Sequence, residues 1–150
     1  MTAIHHSPDP YLPIFQSNGT MLPAGRNGVT LANNATFYVG FGVEGALIQS
    51  VHLQWDAALI LTAVTVEDSN NPDAAITSST AGEWIQEDPA TAYVGGLGNL
   101  TVTNLTLAVA GGAAGGAMIH LGNLGSLRQR LKLVVGGTGG VIKITGHARQ

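Results

Sequence analysis

Few residues in this chain could do chemistry, and most are poorly spaced for it. Glu83, Glu87 and Asp88 surround Trp84. Two carboxylates beside an aromatic ring are the equipment of a glycoside hydrolase, where one acid protonates the leaving oxygen and the other acts from the opposite face of the sugar. Here Glu83 and Glu87 fall in one short segment, and the sequence sets no second carboxylate across from them. Trp84 is also a candidate for stacking on a ligand ring, with burial at the edge of a fold as its ordinary alternative. His5 and His6 stand near Asp9, but adjacent side chains of an extended chain point to opposite sides and chelate poorly. His52, His120 and His147 sit in three separate runs, so a metal site would have to be assembled by the fold. Cysteine is absent, which removes thiolate metal sites, disulfides and cysteine nucleophiles.

The glycine strings resemble nucleotide loops only superficially. Gly40-Phe41-Gly42-Val43-Glu44-Gly45 fits G-x-G-x-x-G, but a dinucleotide site needs a helix next, and the run from Ala46 to Trp55 reads as a strand. Glycines in a strand suggest instead the close approach of another backbone. Gly111 to Gly116 and Gly136 to Gly140 lack the Lys-Ser or Lys-Thr of a phosphate loop and read as hairpin tips. There is no Gly-x-Ser-x-Gly elbow. No catalytic residue, cofactor or metal ligand is assigned on these grounds, and the chain is not read as an enzyme.

Charge is distributed unevenly. All nine acidic residues lie within residues 1–88 beside a single base, Arg26. Arg128, Arg130, Lys132, Lys143 and Arg149 follow with no acid among them. Arg128, Arg130 and Lys132 alternate along one strand face. Nucleic-acid binding would want aromatics there too, and none follows Tyr93. The reading is that acidic and basic patches meet between subunits, where they set orientation.

The elements that position these groups are strands. Period-two alternation runs through Phe37, Val39 and Phe41; through Val51, Leu53 and Trp55; and through Ile60, Thr62, Val64 and Val66. It continues through Leu105, Leu107 and Val109, then Ile119 and Leu121 about His120. Leu127, Leu131, Leu133 and Val135 oppose the basic residues, and Ile142 and Ile144 close the series. Such alternation marks half-buried antiparallel strands. Asn- and Gly-rich turns separate the runs. No helical stripe is visible beyond, at most, one turn within Ala81 to Ala92. The fold class is all-β: an antiparallel β-sandwich, jelly-roll-like, of about eight strands over residues 28–150. Residues 1–27, with Pro8, Pro10, Pro13 and Pro23, read as an extended N-terminal arm. Tyr11, Leu12, Ile14 and Phe15 are its candidate docking residues, on this subunit or on a neighbour.

Composition narrows the class. At 150 residues, one domain is expected. A mean hydropathy of +0.23 and a net charge of −3 exclude intrinsic disorder. No apolar run is long enough for a membrane helix, and residues 1–13 do not read as a secretory signal. Only 10% of residues are charged, well below the usual share, so much of the surface is expected to be covered by other protein.

From Ser50 onward the chain resembles the small β-sandwich virion proteins of tailed bacteriophages. The features are a strand pair with an aromatic (Val51 to Asp56, then Ala63 to Asn70), a Trp after a loop (Trp84), and a basic alternating strand from Leu127 to Val135. A Gly/Thr turn, Gly136 to Gly140, and a last strand from Val141 to Gly146 complete the layout. The resemblance implies capsid decoration or cementing on the virion surface. The partners would be a major capsid protein and copies of the chain itself, a homo-oligomer such as a trimer, with neither nucleic acid nor membrane. Arm docking through Tyr11, Leu12, Ile14 and Phe15 and a polar contact through Arg128, Arg130 and Lys132 would hold it. The alternative is a carbohydrate- or receptor-binding module of a tail or fibre. That reading requires Trp55 or Trp84 on an open surface.

Overall fold

The computed structural model describes residues 15–17, 20–21, 28–41, 47–86, 93–103, 106–120 and 128–149. They form strands and turns, with no helix among the described residues. In chain order the strands are β1 (Phe15–Ser17), β2 (Thr20–Met21), β3 (Val29–Leu31), β4 (Thr36–Phe41), β5 (Leu47–Trp55), β6 (Leu61–Ser69) and β7 (Ile85–Gln86). They continue with β8 (Tyr93–Leu97), β9 (Leu100–Thr103), β10 (Thr106–Val109), β11 (Gly115–His120), β12 (Arg128–Val135) and β13 (Gly140–Arg149). The total exceeds the eight or so expected because several edge strands are only two to five residues long. The helical turn considered for Ala81 to Ala92 is a non-helical turn in its described part.

The strands make two antiparallel sheets. The larger runs β2-β1-β4-β12-β6-β10-β9, with β7 also on β6; the smaller runs β3-β13-β5-β11-β8. Successive long strands alternate between them, from β3 through β4, β5 and β6, and again from β10 through β11, β12 and β13. Inward side chains of both sheets form one buried cluster. Val39, Leu61, Val64, Val66, Leu107, Val109, Leu131, Leu133 and Val135 come from the larger sheet. Leu31, Val51, Leu53, Trp55, Ala117, Ile119, Ile142 and Ile144 come from the smaller. This is the sandwich the alternation requires, because period two gives each strand a single apolar face to bury.

One run departs from strict alternation. The register of β6 shifts against both β12 and β10 near its start. Leu61 is therefore buried and Thr62 exposed, although simple counting puts Thr62 on the face of Val64. An extra residue at a bulge resets the phase.

The segment read as an arm contributes strands at its described positions. Phe15, Gln16 and Ser17 pair with Phe41, Gly40 and Val39 of β4, and β2 pairs back on β1. These residues extend the edge of their own larger sheet. Tyr11, Leu12 and Ile14 lie outside the described residues.

At one end of the sandwich the loops interlock around Asp56. Its Oδ1 accepts hydrogen bonds from the Ala58 and Leu59 amides at 3.2 and 3.1 Å, and its Oδ2 accepts one from Val141 N at 2.9 Å. One carboxylate thus joins the β5–β6 turn to β13. Gly140 makes room for it. A Cβ there would stand 2.8 Å from Leu59 N and closer still to Asp56 Oδ1. Asp56→Ala should therefore lower the unfolding free energy by about 1–3 kcal/mol, since it strands part-buried amides. Gly140→Ala should also destabilise. Urea denaturation of both variants measures this, and wild-type midpoints would show that the carboxylate does not tie the end together.

Candidate functional site

The densest group of polar and aromatic side chains lies on the outer face of the larger sheet. It starts from one row of register partners, Gly40 on β4, Arg130 on β12 and Glu67 on β6. Since Leu131 and Leu133 face the core, Arg130 must point outward. There it would normally meet water, but residues 70–84 fold over this face as a strap. Thr65, Glu67, Ser69 and Arg130 are all buried beneath it.

Arg130 is the clasp. Its Nε donates to Glu67 Oε2 at 2.6 Å, and a second guanidinium nitrogen lies 2.6 Å from the same oxygen. A third donates to the carbonyls of Ile76 and Ser78 at 2.6 and 2.8 Å. The planar cation lies 4.4 Å from the ring centre of Tyr38 and 4.3 Å from that of Trp84. Guanidinium suits this place because it is planar, weakly hydrated for a cation and rich in donors. Lys132 Nζ reaches Glu67 Oε1 only at 4.0 Å, and its side chain stays 37% exposed at the rim.

The strap folds through its own short-range bonds. The Ser69 hydroxyl accepts from Asn71 N at 3.1 Å, and Asn71 Oδ1 accepts from Asp73 N at 3.0 Å. Ser78 Oγ donates to Glu83 Oε2, and Asn71 Nδ2 donates to Glu83 Oε1 at 3.3 Å. Trp84 Nε1 donates to Ala75 O at 3.1 Å. Arg128 ties down the other end by donating to the carbonyls of Ala74 and Pro72. Ile76 enters the space that Gly40 leaves, and a Cβ on Gly40 would collide with it. The glycine of the G-x-G-x-x-G string thus serves close packing, as the strand reading anticipated, except that the approaching group is a side chain rather than backbone.

This arrangement corrects the expectations for several residues. Trp84 is 8% exposed, with Arg130 over its ring, so it is a packing residue beneath the strap and presents no open face for a ligand. Arg130 meets its acid inside the chain rather than across a subunit boundary. The three basic residues do share a face, but the strap divides them into one buried, one half-buried and one rim residue. Glu83 holds the strap together through Ser78 and Asn71 instead of standing free as half of an acid pair. Glu87 and Asp88 lie outside the described residues, as do the Tyr11, Leu12 and Ile14 side chains; of Phe15 only the backbone pairing is described. Tyr38, Glu67 and Ile76 belong to the cluster and were not singled out from sequence.

Beside the strap, an open groove runs between Asp68–Asn71 and Thr80–Glu83 and ends at Ile85. Ile85, 62% exposed, is the large apolar side chain most open to solvent among the described residues. Comparison of the chain with protein-family models, with curated proteins and with solved structures finds no match in any of the three.

Removal of Arg130 should be costly, because Glu67 would be left buried and uncompensated. Arg130→Ala should destabilise by about 3–5 kcal/mol, whereas Arg130→Met combined with Glu67→Leu should cost much less. Chemical denaturation measures both. Trp84 fluorescence should shift to the red in the single variant as the strap loosens. Equal costs for the two would show that the ion pair does not hold the strap.

Proposed function

We propose that this chain is a structural protein acting by association, a virion surface protein of the capsid decoration or cement type, bound to a major capsid protein and to copies of itself. Within that proposal the sandwich is a jelly roll. Strand orders β3-β13-β5-β11 and β4-β12-β6-β10 support it, because two interleaved Greek keys give this order, and capsid and lectin domains share the architecture.

The observation that carries the reading is how charge is placed. The larger sheet buries its ion pair under its own strap, while the strands of the smaller sheet contain no Asp or Glu at all. Its outward positions, including Thr30, Ser50, His52, Gln54, Gly116, Met118, His120 and Thr145, carry no carboxylate, and Lys143 lies beside Gln54 at one end of β5. Depletion of charge at the centre of a patch is the compositional mark of a surface that other protein covers. The carbohydrate-binding alternative draws no support from the tryptophans, since Trp55 and Trp84 are 4% and 8% exposed. Residues 1–14, with Tyr11, Leu12 and Ile14, are the proposed docking arm, preceding the point where β1 joins its own sheet.

The test is composition of particles followed by rebinding. The chain should be found in purified virions in many copies, and should rebind particles stripped of it. Truncation of residues 1–14 retains β1, so the variant should keep its strand spectrum and bind more weakly. A chain that is absent from particles and monomeric at every accessible concentration would overturn the reading.

A further inference from the structure

Residues 89–127 contain no Asp, Glu, Lys or Arg. The fold puts the strands drawn from this stretch on one side of the sandwich. There β10 and β9 end the larger sheet, and β11 and β8 end the smaller. The turn at Gly98-Asn99 carries the chain from β8 to β9, that is, from the last strand of one sheet to the last strand of the other. Among the described residues β9 pairs with β10 alone, and β8 with β11 alone. An edge strand presents a row of N–H and C=O groups that another strand can pair with. We propose that this side of the sandwich is where two copies of the chain join, β9 against β9, antiparallel about a two-fold axis. The inference rests on the reading that copies of the chain associate, and it names the surface they use.

This edge lacks the usual guards. Proteins blunt exposed edges with very short strands, with Lys or Pro, or with a bulge. The opposite ends of the two sheets use the first device, since β2 has two residues and β3 three. In contrast β9 has four and β8 five, neither contains a charge or a Pro, and the register of each on its neighbour runs without a shift. The edge is also held in place before any partner arrives. Gly98 and Asn99 turn the chain with φ of 85° and 54°. Asn99 Nδ2 donates to Gly111 O at 2.7 Å, and Asn99 O accepts from Ala110 N at 3.2 Å. A Cβ on Gly98 would stand 2.7 Å from Gly115 Cα, so the turn is seated against the start of β11. A strand that is already ordered adds little ordering cost to the pairing.

Charge selects a second copy as the occupant. A side built from residues without formal charge gives no attraction to a polyanion or a charged membrane, and it meets itself without like-charge repulsion. Two-fold symmetry brings the same patch to both partners and is the commonest route to a dimer. Period two then limits the register. Thr101 is exposed, and its register partner Ala108 lies between Leu107 and Val109, which face the core. Thr101 therefore belongs to the outer face. Opposed residues of a ladder share a face, and β9 is only four residues long. An axis across it places the Thr101 side chains of the two copies opposite or on the diagonal, about 8 Å apart at most. The join supplies about four backbone hydrogen bonds and makes one continuous sheet of the two larger sheets.

The chain has no cysteine, so a single introduced thiol reports only on contact between copies. Full-length Thr101→Cys, treated with a short bismaleimide, should give covalent dimers about tenfold or more faster than Thr138→Cys, because pairing raises the effective concentration of the thiols. Thr138 is an equally exposed site in the β12–β13 turn. Sedimentation of the wild type should show a monomer–dimer equilibrium, and Thr101→Lys should weaken it about tenfold or more by setting two ammonium groups at the join. Thr101→Ser adds no charge and should dimerise as the wild type does. Both variants should keep the strand spectrum. Association that Thr101→Lys leaves unchanged, with Thr101→Cys cross-linking no faster than Thr138→Cys, would overturn this edge as the join while copies still meet through another surface. A wild type that is monomeric at every accessible concentration would overturn the pairing outright, and binding of that monomer to stripped particles reads the wider proposal separately.

Discussion

The burial of Arg130 against Glu67 constrains everything on the outer face of the larger sheet. Removing a cation and a carboxylate from water costs several kcal/mol per ion, and their attraction offsets this only when every remaining donor finds an acceptor. The strap supplies those acceptors through the carbonyls of Ile76 and Ser78, while Tyr38 and Trp84 supply the ring faces. The dependence is mutual. Without the strap the pair would be solvated, and without the pair the strap would keep only the packing of Ala74, Ile76 and Trp84 and its bonds to Arg128. Burial of the pair and the position of residues 70–84 over it are therefore coupled.

The same economy explains the difference between the two outer faces. The larger sheet is covered by its own chain, with Gly40 opening space for Ile76 and Ser69 capping the strap's first turn. On the smaller sheet, outward residues such as Thr30, Gln54 and His120 stay exposed among the described residues, and its strands carry almost no charge. Between the faces, the core and the Asp56 tie hold the sheets in one arrangement. The larger face is therefore the structural half of the molecule, and of the two faces the smaller is the one proposed to meet protein outside the chain.

Much of this fold was legible in the sequence because period two is a local signal. The core residues of β5, β10, β11, β12 and β13 follow from counting alternate positions. The phase of β6 did not, because a bulge leaves no compositional mark and moved Leu61 inward in place of Thr62. The edge hairpin of β1 and β2 was missed because prolines around it suggested an arm, although Asn18-Gly19 between the paired residues is the dipeptide that short hairpins favour. The cluster around Arg130 was out of reach for a different reason. Its members come from β4, β6, β12 and the strap, and the register that aligns Glu67 with Arg130 is a property of pairing across 63 residues. Separation of acids and bases along the chain was visible; which of them would meet, and that one pair would be buried, was not.

The order of strands also governs how the chain reaches this state. β3 pairs with β13, β4 with β12 and β5 with β13, so the earliest long strands are partnered by the last. No sheet is completed by neighbours in sequence, and the loops to be closed span most of the polypeptide. Proteins dominated by such distant pairings fold on the order of milliseconds to seconds, because closure entropy is spent before the contacts repay it. During synthesis β4, β5 and β6 emerge with hydrogen-bonding edges that stay open until β10, β11, β12 and β13 follow. Until then these edges are open to strands of other nascent chains, and crowding of ribosomes on one message becomes a hazard for this topology.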